Sequence, residues 1–125
     1  MIYVVMGVGT PSPLDKEHII NTMFKATSYG KKIYFFKDMP ASDVALEAAK
    51  QWKDLNNFPV EFVIIDENNP KQRSLLPSVF DCVLYFIDEK TANDKIFSGQ
   101  LKVLDEEGIR YEKYVLGTWD KQATT

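Results

Sequence analysis

Two glycines end the first apolar run of this chain, in the stretch VVMGVGTPSP from Val4 to Pro13. A glycine-rich turn between a strand and a helix exposes backbone N–H groups and the positive helix end to an anion. The stretch therefore predicts a phosphate-binding turn, in which the amides of Gly9 and Thr10 meet the phosphate and Gly7, Val8 and Ser12 line the pocket. The alternative is a tight turn in which the glycines only relieve crowding.

A second polar turn, KDMPASD, follows the second apolar run. It predicts that the Asp43 carboxylate accepts a hydrogen bond from a ribose hydroxyl, with the rest of the pocket formed by Lys37, Asp38, Pro40 and Ser42. The alternative is that Ser42 caps the next helix and Asp43 is an acid at the helix end with no ligand.

A third turn, DENNPKQR, contains both signs of charge. Lys71 and Arg73, with Ser74 beside them, are predicted to hold a phosphate, because the arginine fork matches phosphate oxygens. The alternative is a solvated loop in which Asp66 and Glu67 pair with these cations. Near the last helix, the stretches NDK and SGQ either contact a ligand or form its first turn.

Catalysis on a nucleotide needs a carboxylate beside the anomeric carbon. Asp43 is the first candidate, followed by Asp66 and Asp88. The single histidine, His18, has no nucleophile near it in the sequence, and the single cysteine, Cys82, lies in an apolar run that predicts a core position. We therefore predict no metal site and no cofactor.

Strand-like and helix-like segments alternate along the chain and position these turns. Five short apolar runs predict buried strands, at Ile2–Gly7, Lys31–Phe36, Val60–Ile65, Cys82–Ile87 and Ile109–Leu116. Helical spacing of apolar residues predicts helices after Ser12, from Ser42, briefly from Pro70, and around Ile96–Leu104. This alternation predicts an α/β fold, a Rossmann-like three-layer α/β/α domain whose five-stranded, mainly parallel sheet has the order 3-2-1-4-5.

Size and charge narrow the function classes. The chain has 125 residues and a formal net charge of -3, which fits one globular domain at 1–118 with a tail at 119–125. A mildly acidic chain is a poor candidate for nucleic-acid binding. We read no leader and no membrane segment, and a lone cysteine fits a reducing compartment, so a cytoplasmic location is expected.

The order of features resembles the SLOG superfamily, and within it the small YspA-like branch related to cpYpsA. The resemblance rests on the turns GVGT and KDMPASD, the helix DVALEAAKQW and the segments KQRSLL and DCVLYF, and it spans Ile2–Leu116. It is a resemblance of layout, since Val8-Gly9 stands where this branch usually has Ser-Arg.

The resemblance implies a protein that senses, carries or sequesters a nucleotide or an ADP-ribose-like molecule. It also implies a homo-oligomer, a dimer or larger. Two alternatives remain: a nucleotide N-glycosidase or phosphoribohydrolase, and a ligand-free interaction module, phage- or plasmid-encoded, that uses the apolar faces IINTMF and KIFSGQLKVL.

Overall fold

Five parallel strands form one sheet in the order β3-β2-β1-β4-β5, as the alternating sequence pattern predicts. The structure, a computed structural model, describes residues 1–66, 68–73 and 79–118. The strands are β1 (Ile2–Val8), β2 (Lys32–Phe36), β3 (Glu61–Ile65), β4 (Cys82–Ile87) and β5 (Arg110–Val115). The helices are α1 (Pro13–Tyr29), α2 (Pro40–Asn56), α3 (Pro70–Arg73), α4 (Glu89–Ala92) and α5 (Lys95–Glu106).

Helices cover both faces of the sheet, which makes the three-layer α/β arrangement. α1 and α2 pack together on one face, and their side chains form a core with Val5, Phe35 and Leu84. On the opposite face Phe97 of α5 packs with Val4, Tyr34 and Tyr85. Since side chains alternate along a strand, neighbouring residues of β1 and β4 feed the two cores in turn.

The start of α1 follows the sequence prediction. Ser12 is the N-cap, Pro13 opens the helix and Gly30 follows its last residue. The start of α2 does not: the helix begins at Pro40 with Met39 as the N-cap residue, and Ser42 lies inside the first turn. The predicted capping role of Ser42 is therefore wrong, because proline at the first helical position started the helix two residues earlier.

Small side chains bring α2 close to the sheet. Ala41, Ala45, Ala48 and Ala49 are all buried, and for the last three helical spacing predicts it. Leu55, which the same apolar pattern includes, is 75% exposed because it lies in the last turn beyond the packed stretch. The tail prediction at 119–125 lies outside the described residues.

Within the described part of the chain, no helix combines the length and the apolar character that crossing a membrane would need.

Candidate functional site

The sheet has one point where the order of strands reverses. β2 and β3 follow on one side of β1, whereas β4 and β5 lie on its other side. The reversal therefore falls between β1 and β4, where Val8 pairs with Ile87 at the carboxyl ends of the two strands. Open α/β sheets bind their ligands in the crevice at this place, because the loops on either side diverge.

A pocket of about 150 Å³ lies at this reversal, on the face that carries α5. We call it the switch-point pocket, and it is lined by Met6, Val8, Tyr85, Ile87, Thr91, Asp94, Ile96, Phe97 and Gln100. Its floor is apolar, and its polar groups are one carboxylate, one amide and the hydroxyl groups of a threonine and a tyrosine. That combination of an apolar floor and a few polar groups is typical of small-molecule sites.

Aromatic packing fixes the floor of the switch-point pocket, and the N-cap of α5 fixes its rim. The rings of Tyr85 and Phe97 meet edge to face at 5.0 Å between centroids. Burial, and next the neighbouring Tyr111, raises the pKa of Tyr85, so its hydroxyl stays protonated at neutral pH. At the rim, Asp94 is the N-cap of α5, and its Oδ1 accepts a hydrogen bond of 2.9 Å from the Ile96 amide. The pocket thus presents a fixed hydrogen-bond acceptor beside an aromatic floor.

Gly7 lies in the predicted phosphate-binding turn, but it contacts the first turn of α2. A Cβ atom added at Gly7 would overlap the Ser42 backbone nitrogen and would lie 2.9 Å from the Ala41 carbonyl carbon. Both Ala41 and Ser42 are fully buried. The glycine therefore allows α2 to approach β1 at a distance that no other residue permits.

Gly9 meets protein atoms as well. It has a φ of +106°, and a Cβ atom there would lie 2.9 Å from the Cβ of Asp88. Asp88 is the N-cap of α4, and its Oδ1 accepts a hydrogen bond of 2.8 Å from the Thr91 amide. Hydrogen bonds from the Thr91 side chain and backbone lower the pKa of Asp88. This carboxylate is thus ionised and engaged in holding α4.

The N-terminus of α1 is closed by the chain's own carboxylate. The Asp15 amide donates to Ser12 Oγ at 3.2 Å, and Asp15 Oδ2 accepts from the Ser12 amide at 2.9 Å. Asp15 Oδ1 accepts a third hydrogen bond from the Gly117 amide at 2.9 Å. Asp15 is buried, so it occupies the position in which a bound anion would meet the helix end.

The turn between β2 and α2 exposes most of its polar groups to solvent. Lys37, Asp38, Pro40 and Asp43 are exposed, and Asp38 adopts a positive φ of 63°. Ser42 is the exception: it is fully buried, and its Oγ has no hydrogen-bond partner among the described residues. The carboxylate of Asp43 does not line the switch-point pocket.

At the end of β3, hydrogen bonds within the turn engage both the amide and the carboxylate of Asp66. The Asp66 amide donates to Gln72 Oε1 at 2.8 Å, and Asp66 Oδ1 accepts from the Asn68 amide at 3.0 Å. Lys71 is exposed on α3, Arg73 is the last residue of that helix, and Ser74 lies outside the described residues.

Of the predicted site residues that the structure describes, Val8 lines the switch-point pocket, and Gly7 and Ser42 contact each other. The roles of the other predicted residues in ligand binding stay predictions. Sequence reasoning missed the contributions of Met6, Tyr85 and Phe97, although a signal existed. The predicted strand order already makes the ends of β1 and β4 neighbours, and the NDK and SGQ stretches supply Asp94 and Gln100.

Cys82 is buried in β4, as predicted, and His18 is half-buried on α1. In residues 1–66, 68–73 and 79–118 no three histidine, cysteine, aspartate or glutamate side chains form a group that could hold a metal ion.

Comparison with known proteins gives no match, neither to a protein-family model, nor to a curated protein, nor to a solved structure.

Proposed function

We propose that this protein binds a small nucleotide-related ligand and that the ligand's planar ring enters the switch-point pocket. The observation that carries the proposal is the position of that pocket. It lies between β1 and β4, where the strand order reverses, and it joins an aromatic floor to the fixed acceptor Asp94.

The dimensions of the pocket favour the ring end of such a ligand. A volume of about 150 Å³ admits one ring system, whereas pockets that enclose a whole ligand span about 300–1,000 Å³. Asp94 would accept a hydrogen bond from a ring N–H or an exocyclic amine. The sugar and any phosphate would remain outside, over the exposed side chains of Val8 and Thr10.

Binding is favoured over hydrolysis by where the carboxylates lie. An N-glycosidase places a carboxylate against the anomeric carbon, where it stabilises positive charge or activates water. Asp43 is outside the pocket, Asp88 caps α4, and Asp94, the carboxylate that lines the pocket, caps α5 through its bond to the Ile96 amide. We therefore propose a sensor, carrier or sequestering protein. The resemblance to the SLOG superfamily implies the same role and the same class of ligand. A cytoplasmic location is part of this proposal and is in keeping with the lone cysteine.

The test is a binding titration with adenine, adenosine, AMP, ADP-ribose, NAD and cyclic dinucleotides, followed by thermal unfolding and by heteronuclear NMR. A ligand at a hundred times its dissociation constant adds about 2.7 kcal/mol of stability. We expect the free base or nucleoside to bind nearly as well as its phosphorylated forms, and amide shifts to concentrate on Val8, Ile87 and Ile96.

The variant Asp94→Asn keeps an oxygen that can cap α5 but removes the charge. We expect it to weaken binding at least about fivefold, whereas Asp105→Asn at the other end of α5 leaves binding unchanged. Equal affinity in Asp94→Asn and the wild type, or shifts confined to the KDMPASD turn, would overturn the proposal. Recovery of the ligand as base and sugar would instead identify a hydrolase.

One observation favours a second candidate, an interaction module. Ile96 and Val103 on α5 are 74% and 51% exposed, and their spacing of two helical turns places them on one side of the helix. Exposed apolar side chains on one helix face favour association with another protein surface, including a second copy. An oligomeric mass by light scattering, together with no binding across the ligand panel, would favour this candidate over the first.

A further inference from the structure

A groove lies on the opposite face of the sheet from the switch-point pocket, between α1 and β5. It consists of two adjoining cavities of about 270 and 190 Å³ that share Tyr3, Lys25 and Glu112 as lining residues. We call it the Glu112 groove. The first cavity also contacts Leu84 and Tyr114, and the second contacts Cys82 and Arg110.

The carboxylate of Glu112 is held in one orientation by two protein groups. The Tyr114 hydroxyl donates to Oε1 at 2.6 Å, and the Cys82 thiol lies 3.9 Å from Oε2. The Tyr114 ring stacks on Phe86 at 5.5 Å between centroids, which fixes the donor in turn. Burial, together with the hydrogen bond to Glu112, raises the pKa of Tyr114, so its hydroxyl remains a donor at neutral pH.

Two cations line the same groove without neutralising that carboxylate. Lys25 projects from α1 and Arg110 from β5, two residues before Glu112 on the same strand face. Among the residues that the structure describes, the ion pair within 4.0 Å is Lys32–Glu61 at the other edge of the sheet, and neither Lys25 nor Arg110 reaches Glu112. The side chains that line the groove therefore include the anion Glu112 and the cations Lys25 and Arg110, and no ion pair within 4.0 Å joins them in the part of the chain that the structure describes.

The groove has apolar surface beside these charges. The ring of Tyr114 lines the first cavity above the buried Leu84, and Tyr3 contributes a ring and a hydroxyl to both cavities. Burial is the main cause that raises the pKa of Tyr3, so this hydroxyl also stays protonated. A ligand that fits has opposite charges close together and an apolar part that covers the Tyr114 ring.

We propose that the Glu112 groove binds a small zwitterion of the free α-amino acid class. The ligand's ammonium group meets the Glu112 carboxylate, its carboxylate lies between Lys25 and Arg110, and its side chain covers the Tyr114 ring. Charge-assisted hydrogen bonds of this kind are stronger than neutral ones, and a rigid carboxylate avoids the entropy of ordering a mobile side chain.

This site is separate from the switch-point pocket. Tyr3 points to the α1 face of β1, and Met6, three residues further on, points to the α5 face. The amino-acid site therefore stands or falls independently of the function proposed above.

The test titrates the full chain with the proteinogenic α-amino acids, one at a time, by NMR and calorimetry. For the amino acid that binds best, the matched acid without the amine and the matched amine without the carboxylate are titrated as well; for leucine these are 4-methylpentanoate and 3-methylbutylamine. We expect a Kd of about 1 mM or below for the zwitterion, and at least about tenfold weaker binding for either half.

Two variants remove one charge each. Glu112→Gln and Lys25→Met are expected to weaken binding at least about tenfold, while Glu61→Gln and Lys16→Met, at exposed positions elsewhere, leave it unchanged. Lys25 is exposed on α1, so its replacement keeps the test valid even if the Glu112 variant does not fold.

Three results would overturn the proposal. They are no binding by any amino acid at about ten times the expected Kd, equal binding by the acid or the amine alone, and unchanged affinity in the folded Glu112→Gln and Lys25→Met proteins. Shifts at Tyr114 and Leu84 amides with the zwitterion, and their loss in both variants, would support it.

Discussion

The β1–α1 turn, from Gly7 to Asp15, and the Glu112 groove are both rich in polar groups, yet the structure treats them in opposite ways. In the turn, Asp15 accepts hydrogen bonds from Ser12 and Gly117, and Gly7 is covered by α2. In the groove, Glu112 has two protein neighbours but no cation in contact, while Lys25 and Arg110 face the same space.

In the turn, polar residues serve a structural role, whereas in the groove we propose that they bind a ligand. The cap of α1 satisfies the Ser12 and Asp15 amides within the chain and places a carboxylate at the helix end. In the groove no ion pair among the described residues engages Glu112, so its carboxylate is available to the amino acid proposed above. The glycine-rich turn, the stronger signal in the sequence, uses Gly7 and Asp15 for packing and capping, whereas the groove has no sequence motif.

The largest expected effect comes from placing a methyl group at Gly7. Gly7→Ala is expected to destabilise the protein by about 3 kcal/mol or more, because the new Cβ meets backbone atoms of Ala41 and Ser42 that cannot rotate away. Urea unfolding followed by circular dichroism measures the change.

Gly99 in α5 provides the matched control. An added Cβ there meets nothing within 4 Å, so Gly99→Ala is expected to stabilise the protein by about 0.5–1 kcal/mol through helix propensity. Unchanged stability in Gly7→Ala would mean that α2 does not lie on β1, and the turn would then be open to an anion.

The second prediction compares how much the Asp15 and Glu112 carboxylates contribute to the stability of the protein. Asp15→Ala removes the capping box of α1 and the bond to the Gly117 amide, and is expected to cost about 2 kcal/mol. Glu112→Gln keeps an acceptor for Tyr114 and is expected to change stability by no more than about 0.5 kcal/mol. Thermal unfolding of the two variants measures the contrast.

Hydrogen exchange of the Gly117 amide gives a local reading, since that amide should exchange faster in Asp15→Ala. Asp43→Ala is the control, as an exposed acid in the first turn of α2, with an expected cost of about 0.5 kcal/mol. Equal losses of stability in Asp15→Ala and Glu112→Gln would erase the distinction between the two regions.

The smallest expected effect is a pH dependence of the protein's stability, caused by Cys82 in the Glu112 groove. Burial, and next the Glu112 carboxylate, raises the pKa of Cys82 from its ordinary 9.0 to about 11. Between these values the unfolded chain loses a proton that the folded chain keeps, so stability is full below pH 9 and falls as the pH rises. One group contributes about 1.4 kcal/mol per pH unit in that window.

We therefore expect a loss of about 1.4 kcal/mol between pH 8 and pH 10 that Cys82→Ala lacks. Urea unfolding of both proteins across this range is the measurement. Identical slopes would show that the thiol is solvated in the folded protein and that the floor of the groove is not closed.

Most of the fold was predictable from the sequence. Apolar runs predicted all five strands to within about one or two residues, the usual precision of element ends. The capping of α1 by Ser12 was also predicted, because Ser, Pro and Asp act within one helical turn. The start of α2 was predicted wrongly, since Ser42 and Pro40 both carry start signals and only one can begin the helix. The sequence predicted no helix at α4, because four residues are too few to show a helical period.

The candidate sites were harder to predict from the sequence than the fold. The predicted strand order located the reversal between β1 and β4, but the aromatic floor depends on how Phe97 packs on Tyr85, which no local pattern records. Similarly, nothing near Asp15 in the sequence indicates that it would bond to Gly117, 102 residues away.

The sequence by itself determined the elements, their order and hence the sheet, because hydrophobic period and turn residues act over a few neighbouring positions. Only the tertiary structure decided which polar residues contact other protein groups and which line a cavity. Lys25, Arg110 and Glu112 lie on elements at opposite ends of the chain, and Gly7 is closed by a helix that follows the second strand. The physical reason is that a site depends on distances across the fold, which packing sets and sequence spacing does not.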